Sequence, residues 1–245
     1  MFSANKDAGL TRELRDGVLW LAFDRPRAAN AVDPALARAF AGALDDAARD
    51  VAVSAVVMTG AGKVFSAGID IGNADKLDHE ALSARRRGAV DACLSAIIGF
   101  DKPLVAAVNG PAIGLGWMMV LLADRVIASD GATFSLPEID LGIPTFLGIS
   151  IVARTAGASL ARDWVLSGRR IDAAEAKQHG LVSVIASAGE FADAAQKAAQ
   201  ALAAKPKAAY ALDKQWLARK LCEEFAAANA RSQEVQPLLA ADKAR

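Results

Sequence analysis

Glu138 stands in Leu136-Pro137-Glu138-Ile139-Asp140-Leu141-Gly142, a carboxylate in a largely apolar stretch. With Phe134, Leu136, Ile139 and Phe146 around it, it would be partly desolvated, which raises a carboxyl pKa toward the range of a useful base. Asp140 is the alternative acid, and on an alternating strand it would share the face of Glu138. The run Asn109-Gly110-Pro111-Ala112-Ile113-Gly114-Leu115-Gly116 offers a second kind of chemistry. A helix opening near Gly114 points unpaired backbone N–H groups and the positive end of its dipole at whatever lies in front of it, and such donors stabilise an anion. Upstream, Val64-Phe65-Ser66-Ala67-Gly68-Ile69-Asp70 is a turn of small residues after a strand. Each stretch alone also has a purely structural reading: a surface carboxylate at the end of an element, a strand-to-helix turn, a small-residue turn.

These residues need a scaffold, and the chain's periodicity supplies one. Val18–Phe23 reads as a strand closed by Asp24-Arg25-Pro26. Asp33-Pro34 is an N-cap followed by a first-turn proline, opening a helix to about Asp46. Ser54–Thr59 and Leu104–Val108 are short, almost wholly apolar runs of the kind buried on both faces of a sheet. Between them Asp78–Gly99 reads as a helix with Leu82, Val90, Leu94 and Ile97 on its apolar face. A helix over Gly114–Ala123 and a strand over Arg125–Ala128 follow. Strands alternating with helices at this spacing predict crossover units and a mostly parallel sheet. Beyond Gly157 the pattern is mainly helical: Ser159–Leu166, Asp172–Gln178, a brief strand at Leu181–Ile185, then Gly189–Ala203 and Pro206 to about Leu239.

Composition narrows the classes. A chain of 245 residues, 53% hydrophobic, can bury a full-sized core. Its 28 basic and 28 acidic residues balance, so no positive field favours nucleic acid. Cys93 and Cys222 are too far apart in sequence for a disulfide framework, and His79 and His179 are too scattered for a zinc site, so no metal is expected. The segment Met1–Leu10 carries Asn5, Lys6 and Asp7 with no apolar run, unlike a signal peptide. No stretch reaches the roughly 18 apolar residues of a spanning helix. The expectation is a soluble cytoplasmic protein with no membrane partner.

The three stretches around residues 64–70, 108–116 and 135–138, in register, resemble the signature of the enoyl-CoA hydratase/isomerase (crotonase) superfamily, over about residues 12 to 220. The resemblance implies an α/β fold: a crotonase-like ββα-repeat spiral core (1–185) that binds acyl-CoA, with a helical C-terminal region (186–245) for trimerisation. It implies an oxyanion hole from the backbone N–H groups of Ile69 and Leu115, which would hold a thioester enolate, and Glu138 as the catalytic acid–base. Coenzyme A contacts fall on Arg27, Ala28, Ser66, Ala67, Asp70 and Ile71, and an acyl pocket on Trp117, Met118 and Phe146. No cofactor is implied, coenzyme A being part of the substrate, and the partner is a second and third copy of the chain, as a homotrimer or a dimer of trimers. The chain departs from the family at position 118, where hydratases carry a second glutamate and this sequence has Met118. It also lacks the family's Gly-Gly-Thr-Gln-Arg run after Gly142 and its closing basic–aromatic helix. Hydration of an enoyl thioester uses two facing carboxylates to hold and split water; moving a double bond needs one base. The favoured expectation is therefore an enoyl-CoA isomerase, with hydratase and a catalytically inactive acyl-CoA binder as alternatives.

Overall fold

The structure, a computed structural model, describes residues 5–70, 72 and 79–243, and side chains over 7–70, 72 and 87–235. Two expectations, Ile71 as a coenzyme contact and Leu82 on an apolar helix face, lie outside these.

The chain opens with a meander, β1 (Asn5–Asp7), β2 (Leu10–Arg15) and β3 (Val18–Phe23), joined by the two-residue turns Ala8-Gly9 and Asp16-Gly17. All four turn residues have positive φ, the conformation that matches strand twist in tight hairpins. From β3 onward the chain crosses over: α1 (Pro34–Arg49), β4 (Ala55–Gly60), α2 (His79–Gly99) and β5 (Leu104–Val108). The short β6 (Ala112–Ile113) leads into α3 (Leu115–Leu121), followed by β7 (Arg125–Ser129) and β8 (Thr133–Ser135). After a 3-10 helix at Pro137–Leu141 come α4 (Phe146–Thr155), α5 (Ala158–Ser167), β9 (Ile171–Asp172), α6 (Ala173–Gln178) and β10 (Val184–Ala186). Two helices finish it, α7 (Phe191–Ala203) and α8 (Lys207–Lys243).

A seven-stranded sheet has the order β1-β2-β3-β4-β5-β7-β10, and a three-stranded one the order β6-β8-β9. Pairing is antiparallel within the meander and parallel from β3 to β10, as the apolar central strands predict. Alternation along those strands divides the interior. Val56 and Met58 face a core shared with α1, α2 and α3, while Ala55 and Val57 face Ala195, Ala198 and Ala199 of α7. Alanine on α7 lets that helix lie close on the sheet. The residues after 185 therefore have two roles: α7 covers one face of the sheet, and α8 crosses α2 and α4. Among the described residues no helix is long and apolar enough to cross a membrane.

The loops that leave the C-terminal ends of β4 and β5 meet on one side of the sheet. In open parallel sheets that edge is where ligand crevices form.

Candidate active site

The turn at 66–70 is stitched in from two sides. Ser66 is buried; its hydroxyl donates to the Asn30 carbonyl (2.9 Å) and accepts from the Gly68 N–H (3.2 Å). The Ser66 carbonyl accepts from Ile113 N–H at 2.9 Å. Val32 donates to the Gly68 carbonyl (2.7 Å) and accepts from Asp70 N–H (2.9 Å). This parallel bridge uses the groups on either side of Ile69, so Ile69's own N–H points the other way, toward a cavity that Ile69 lines.

Across that gap α3 begins. Its N-cap is Gly114, with φ 57 and ψ −123, a conformation that L side chains avoid. The Gly114 N–H is taken by the Ser135 carbonyl at 2.9 Å, and Met118 N–H closes the first helical turn on the Gly114 carbonyl at 3.0 Å. Leu115 N–H is therefore the first helical donor facing the cavity. The two loops are in contact: a Cβ on Gly68, whose φ is +88, would lie 2.8 Å from the Ile113 carbonyl oxygen and 3.4 Å from the Leu115 nitrogen. The residues expected to form an oxyanion hole are thus neighbours on one wall.

Glu138 lies over the same helix start. A Cβ on Gly114 would come 2.9 Å from Glu138 Oε1. Its Oε2 is buried and finds no hydrogen-bond partner among the described residues. Burial pushes the carboxyl up to about 7, and its own backbone N–H offsets only part of this. Asp140 does not share its face. The segment is a 3-10 helix with Pro137 in its first turn, not an alternating strand, so residues two apart point in different directions. Asp140 instead turns toward Gly168, where a Cβ would meet its Oδ2 at 2.9 Å.

The cavity holds about 690 Å³. Of the residues expected to contact the coenzyme, Ala28, Ala67 and Asp70 line it, and of those expected in an acyl pocket, Met118 and Phe146 do. Asp70 is held by Arg25, whose Nη2 donates at 2.9 Å and also lies 3.3 Å from Asp33. Three anticipated residues are placed elsewhere. Ser66 is absorbed in loop hydrogen bonds. Arg27 is exposed and does not line the cavity; Arg25, not Arg27, is the arginine tied into the site's loops. Trp117 is buried against Phe134, ring centroids 4.3 Å apart, because one residue along a helix turns a side chain about 100° away from its neighbour Met118.

Other lining residues had no sequence signal. Thr145 is one: its Oγ1 would lie 2.5 Å from a Cβ on Gly148, where Met118 Cε and Leu136 Cδ1 also converge at 3.2 Å. Arg87 and Val90 enter from α2, and Asn229, Ser232 and Val235 from α8. The region after Phe225, which lacks the family's closing segment, nonetheless walls the cavity.

Residues 13–243 match the family model described as Enoyl-CoA hydratase/isomerase. A 2,3-dehydroadipyl-CoA hydratase of Escherichia coli (strain K12) is 44% identical over 167 residues, 68% of this chain. That match covers 64% of the hydratase's own length, a little under two thirds. A 4-chlorobenzoyl coenzyme A dehalogenase of an Arthrobacter species is 36% identical over 211 residues, covering 83% of this chain and 75% of its own. Among solved structures, an enoyl-CoA hydratase from Mycobacterium avium subsp. paratuberculosis superimposes with a TM-score of 0.82 at 31% identity, over 96% of this chain and 95% of that one.

Proposed function

The chain belongs to the enoyl-CoA hydratase/isomerase family, and we propose that within it the protein moves a double bond in an enoyl-CoA with Glu138 as its single acid–base group. The observation that carries this reading is the pairing of Glu138 with Met118. One desolvated carboxylate sits over the α3 N-terminus, and the residue one turn into that helix, where a second carboxylate would hold water, is a thioether. With the thioester carbonyl oxygen between the N–H groups of Ile69 and Leu115, Glu138 removes a proton from the α-carbon of a 3-enoyl thioester. The electron pair moves onto the carbonyl oxygen, giving a dienolate whose charge those donors stabilise. Glu138 then returns the proton to the γ-carbon, and the double bond lies between the α and β carbons. One proton leaves and one returns, so no water is consumed.

A second reading is hydration of a 2-enoyl-CoA. Two of the similar proteins named above are hydratases. The Thr145 hydroxyl beside Met118 supplies a polar group able to hold a water for Glu138 to activate. Assays with 3-enoyl-CoA and 2-enoyl-CoA, read for migration and for water addition, separate the two. On the isomerase reading the wild type shifts 3-enoyl-CoA faster than it hydrates 2-enoyl-CoA, and Thr145→Val leaves migration intact. Met118→Glu should raise the ratio of water addition to migration, at a cost of about 1–3 kcal/mol in stability for a poorly solvated carboxylate. Efficient hydration by wild type, lost in Thr145→Val and without migration, would establish the second reading instead.

We also propose assembly as a trimer or dimer of trimers. The first half of α8 leaves Leu212, Trp216 and Leu217 exposed at 66%, 70% and 76%, apolar area that a neighbouring copy would cover. Light scattering should give a mass of at least three chains; a species at the monomer's 25.4 kDa at micromolar concentration would contradict assembly.

A further inference from the structure

Among the described residues, Asn30 and Ser66 are the polar residues with 0% exposure, and neither lines the cavity. Asn30 belongs to the strap at 25–32 that follows β3. Ala29 and Asn30 both adopt positive φ, 48 and 54, a left-handed conformation that persists only where the surroundings over-determine it. The Asn30 amide does this. Its Oδ1 accepts from Arg25 N–H at 2.9 Å, and its Nδ2 donates to the carbonyls of Ala61 (2.9 Å) and Val64 (2.7 Å) in the turn after β4. The Asn30 carbonyl accepts from Ser66 Oγ, which itself accepts from Gly68 N–H. One residue therefore ties the strap to the turn that carries Ile69.

We infer that Asn30 is a positioning residue for the oxyanion hole, fixing the direction of the Ile69 N–H through Val32 and Ser66. This rests on the reading of that N–H as a donor to the thioester oxygen. The Ile69 N–H and the Gly68 carbonyl belong to one trans peptide plane, so they point in opposite directions. Val32 N–H, two residues along the strap from Asn30, holds the Gly68 carbonyl at 2.7 Å, and Ser66 Oγ holds the Gly68 N–H at 3.2 Å. A strap that shifts therefore turns the Ile69 N–H with it, and a donor that is turned off line stabilises developing charge less. Asparagine suits the position because its amide is donor and acceptor at once. An aspartate would lack the two donors that Ala61 and Val64 accept, and an apolar side chain would leave those carbonyls and Arg25 N–H without their partner.

The carbonyl of a bound thioester reads this directly. Hexanoyl-CoA, isotope-labelled at its carbonyl carbon, has no double bond to react, so difference infrared spectra can be taken at saturation without turnover. In wild type the carbonyl should absorb at lower frequency than in free ligand, because the donors polarise it. Asn30→Gly tolerates the positive φ and deletes the amide. It should lose most of that lowering and about 10–100-fold in kcat, less than the outright loss of a donor, while the dissociation constant for hexanoyl-CoA changes far less. Ser66→Ala should do the same in smaller measure, and it carries the test where Asn30→Gly does not fold. Val165→Ala, a truncation in the core of α5 away from the cavity, should reduce stability and leave the frequency untouched. A wild-type frequency in folded Asn30→Gly, or in Ser66→Ala where that variant does not fold, overturns the inference. So does a frequency moved equally by Val165→Ala, which would mark a general loss of order. No lowering in wild type removes the donor reading itself, and the inference with it. A lowering that depends on Asn30 in a protein that moves no double bond upholds the positioning role and counts against the proposed reaction alone.

Discussion

Glu138→Gln should lower the turnover of enoyl-CoA about 10²–10⁴-fold while leaving the dissociation constant of a saturated acyl-CoA nearly unchanged. The substitution keeps the shape of the side chain that rests on Gly114 and removes only its ability to carry a proton. Asp140→Asn should do far less, since Asp140 turns away toward Gly168. The same variant should also change stability, and the sign follows from where the carboxyl titrates. In the folded protein it sits at about 7, well above the ordinary value of 4.5. The folded state therefore holds this proton more tightly than the unfolded chain does, and stability is lost as pH rises from about 4.5 through 7. Glutamine carries no such penalty, so the variant should be more stable than wild type at pH 8, by up to about 3 kcal/mol, and unfold at a higher temperature, with a smaller gap at pH 5. A gain in stability together with a loss of rate is what a carboxylate kept for chemistry predicts. Thermal unfolding at the two pH values, beside initial rates, checks both. Full activity in Glu138→Gln, or lost activity in Asp140→Asn with Glu138→Gln active, would mean that the acid has been misassigned.

Gly114→Ala should be the second most damaging change, costing about 10²–10³-fold in rate, comparable to the loss of one oxyanion donor. Two effects coincide at this residue. Its φ of 57 and ψ of −123 strain any L side chain by about 1–3 kcal/mol. The new methyl would also stand 2.9 Å from Glu138 Oε1, displacing either the base or the start of α3 that presents Leu115 N–H. Gly131→Ala is the matched control: a Cβ there meets nothing within 4 Å and its φ is not positive, so it should be silent. Steady-state kinetics and acyl-CoA binding on the three proteins measure this, and a Gly114→Ala enzyme with wild-type kcat would disconnect that helix start from the chemistry.

Local signals carried much of the scaffold. The Asp33-Pro34 start of α1 could be read because capping is written in adjacent residues, and Asp33 does accept from Leu36 N–H at 2.8 Å. The strands Val18–Phe23 and Leu104–Val108 stood out as apolar runs of strand length bounded by turn residues. The meander before them was not anticipated, although Asp16-Gly17 is a strong hairpin signal. The small sheet of β6, β8 and β9 has strands of two or three residues, too short for any periodicity. The 3-10 helix at Pro137 was likewise unreadable as such, and with it the divergence of Glu138 and Asp140. Helical spacing implies that Trp117 and Met118 face different ways, but every residue of α3 is buried, so no polar face shows which of them meets the cavity. Arg87 on α2 and Asn229 and Ser232 on α8 line one cavity through the packing of two helices distant in sequence, a long-range event with no trace in either helix alone.

The central claim is a single ionising base at Glu138 acting on a thioester. Its most direct test is the pH dependence of kcat/KM for 3-enoyl-CoA isomerisation. The carboxyl must be ionised to take the α-proton, and burial sets that ionisation at about 7. The rate should therefore rise tenfold per pH unit below about 7 and level off above it, with one ionisation and no second limb through pH 9. A profile already flat from pH 5 upward, or a bell with two ionisations in that range, would contradict it.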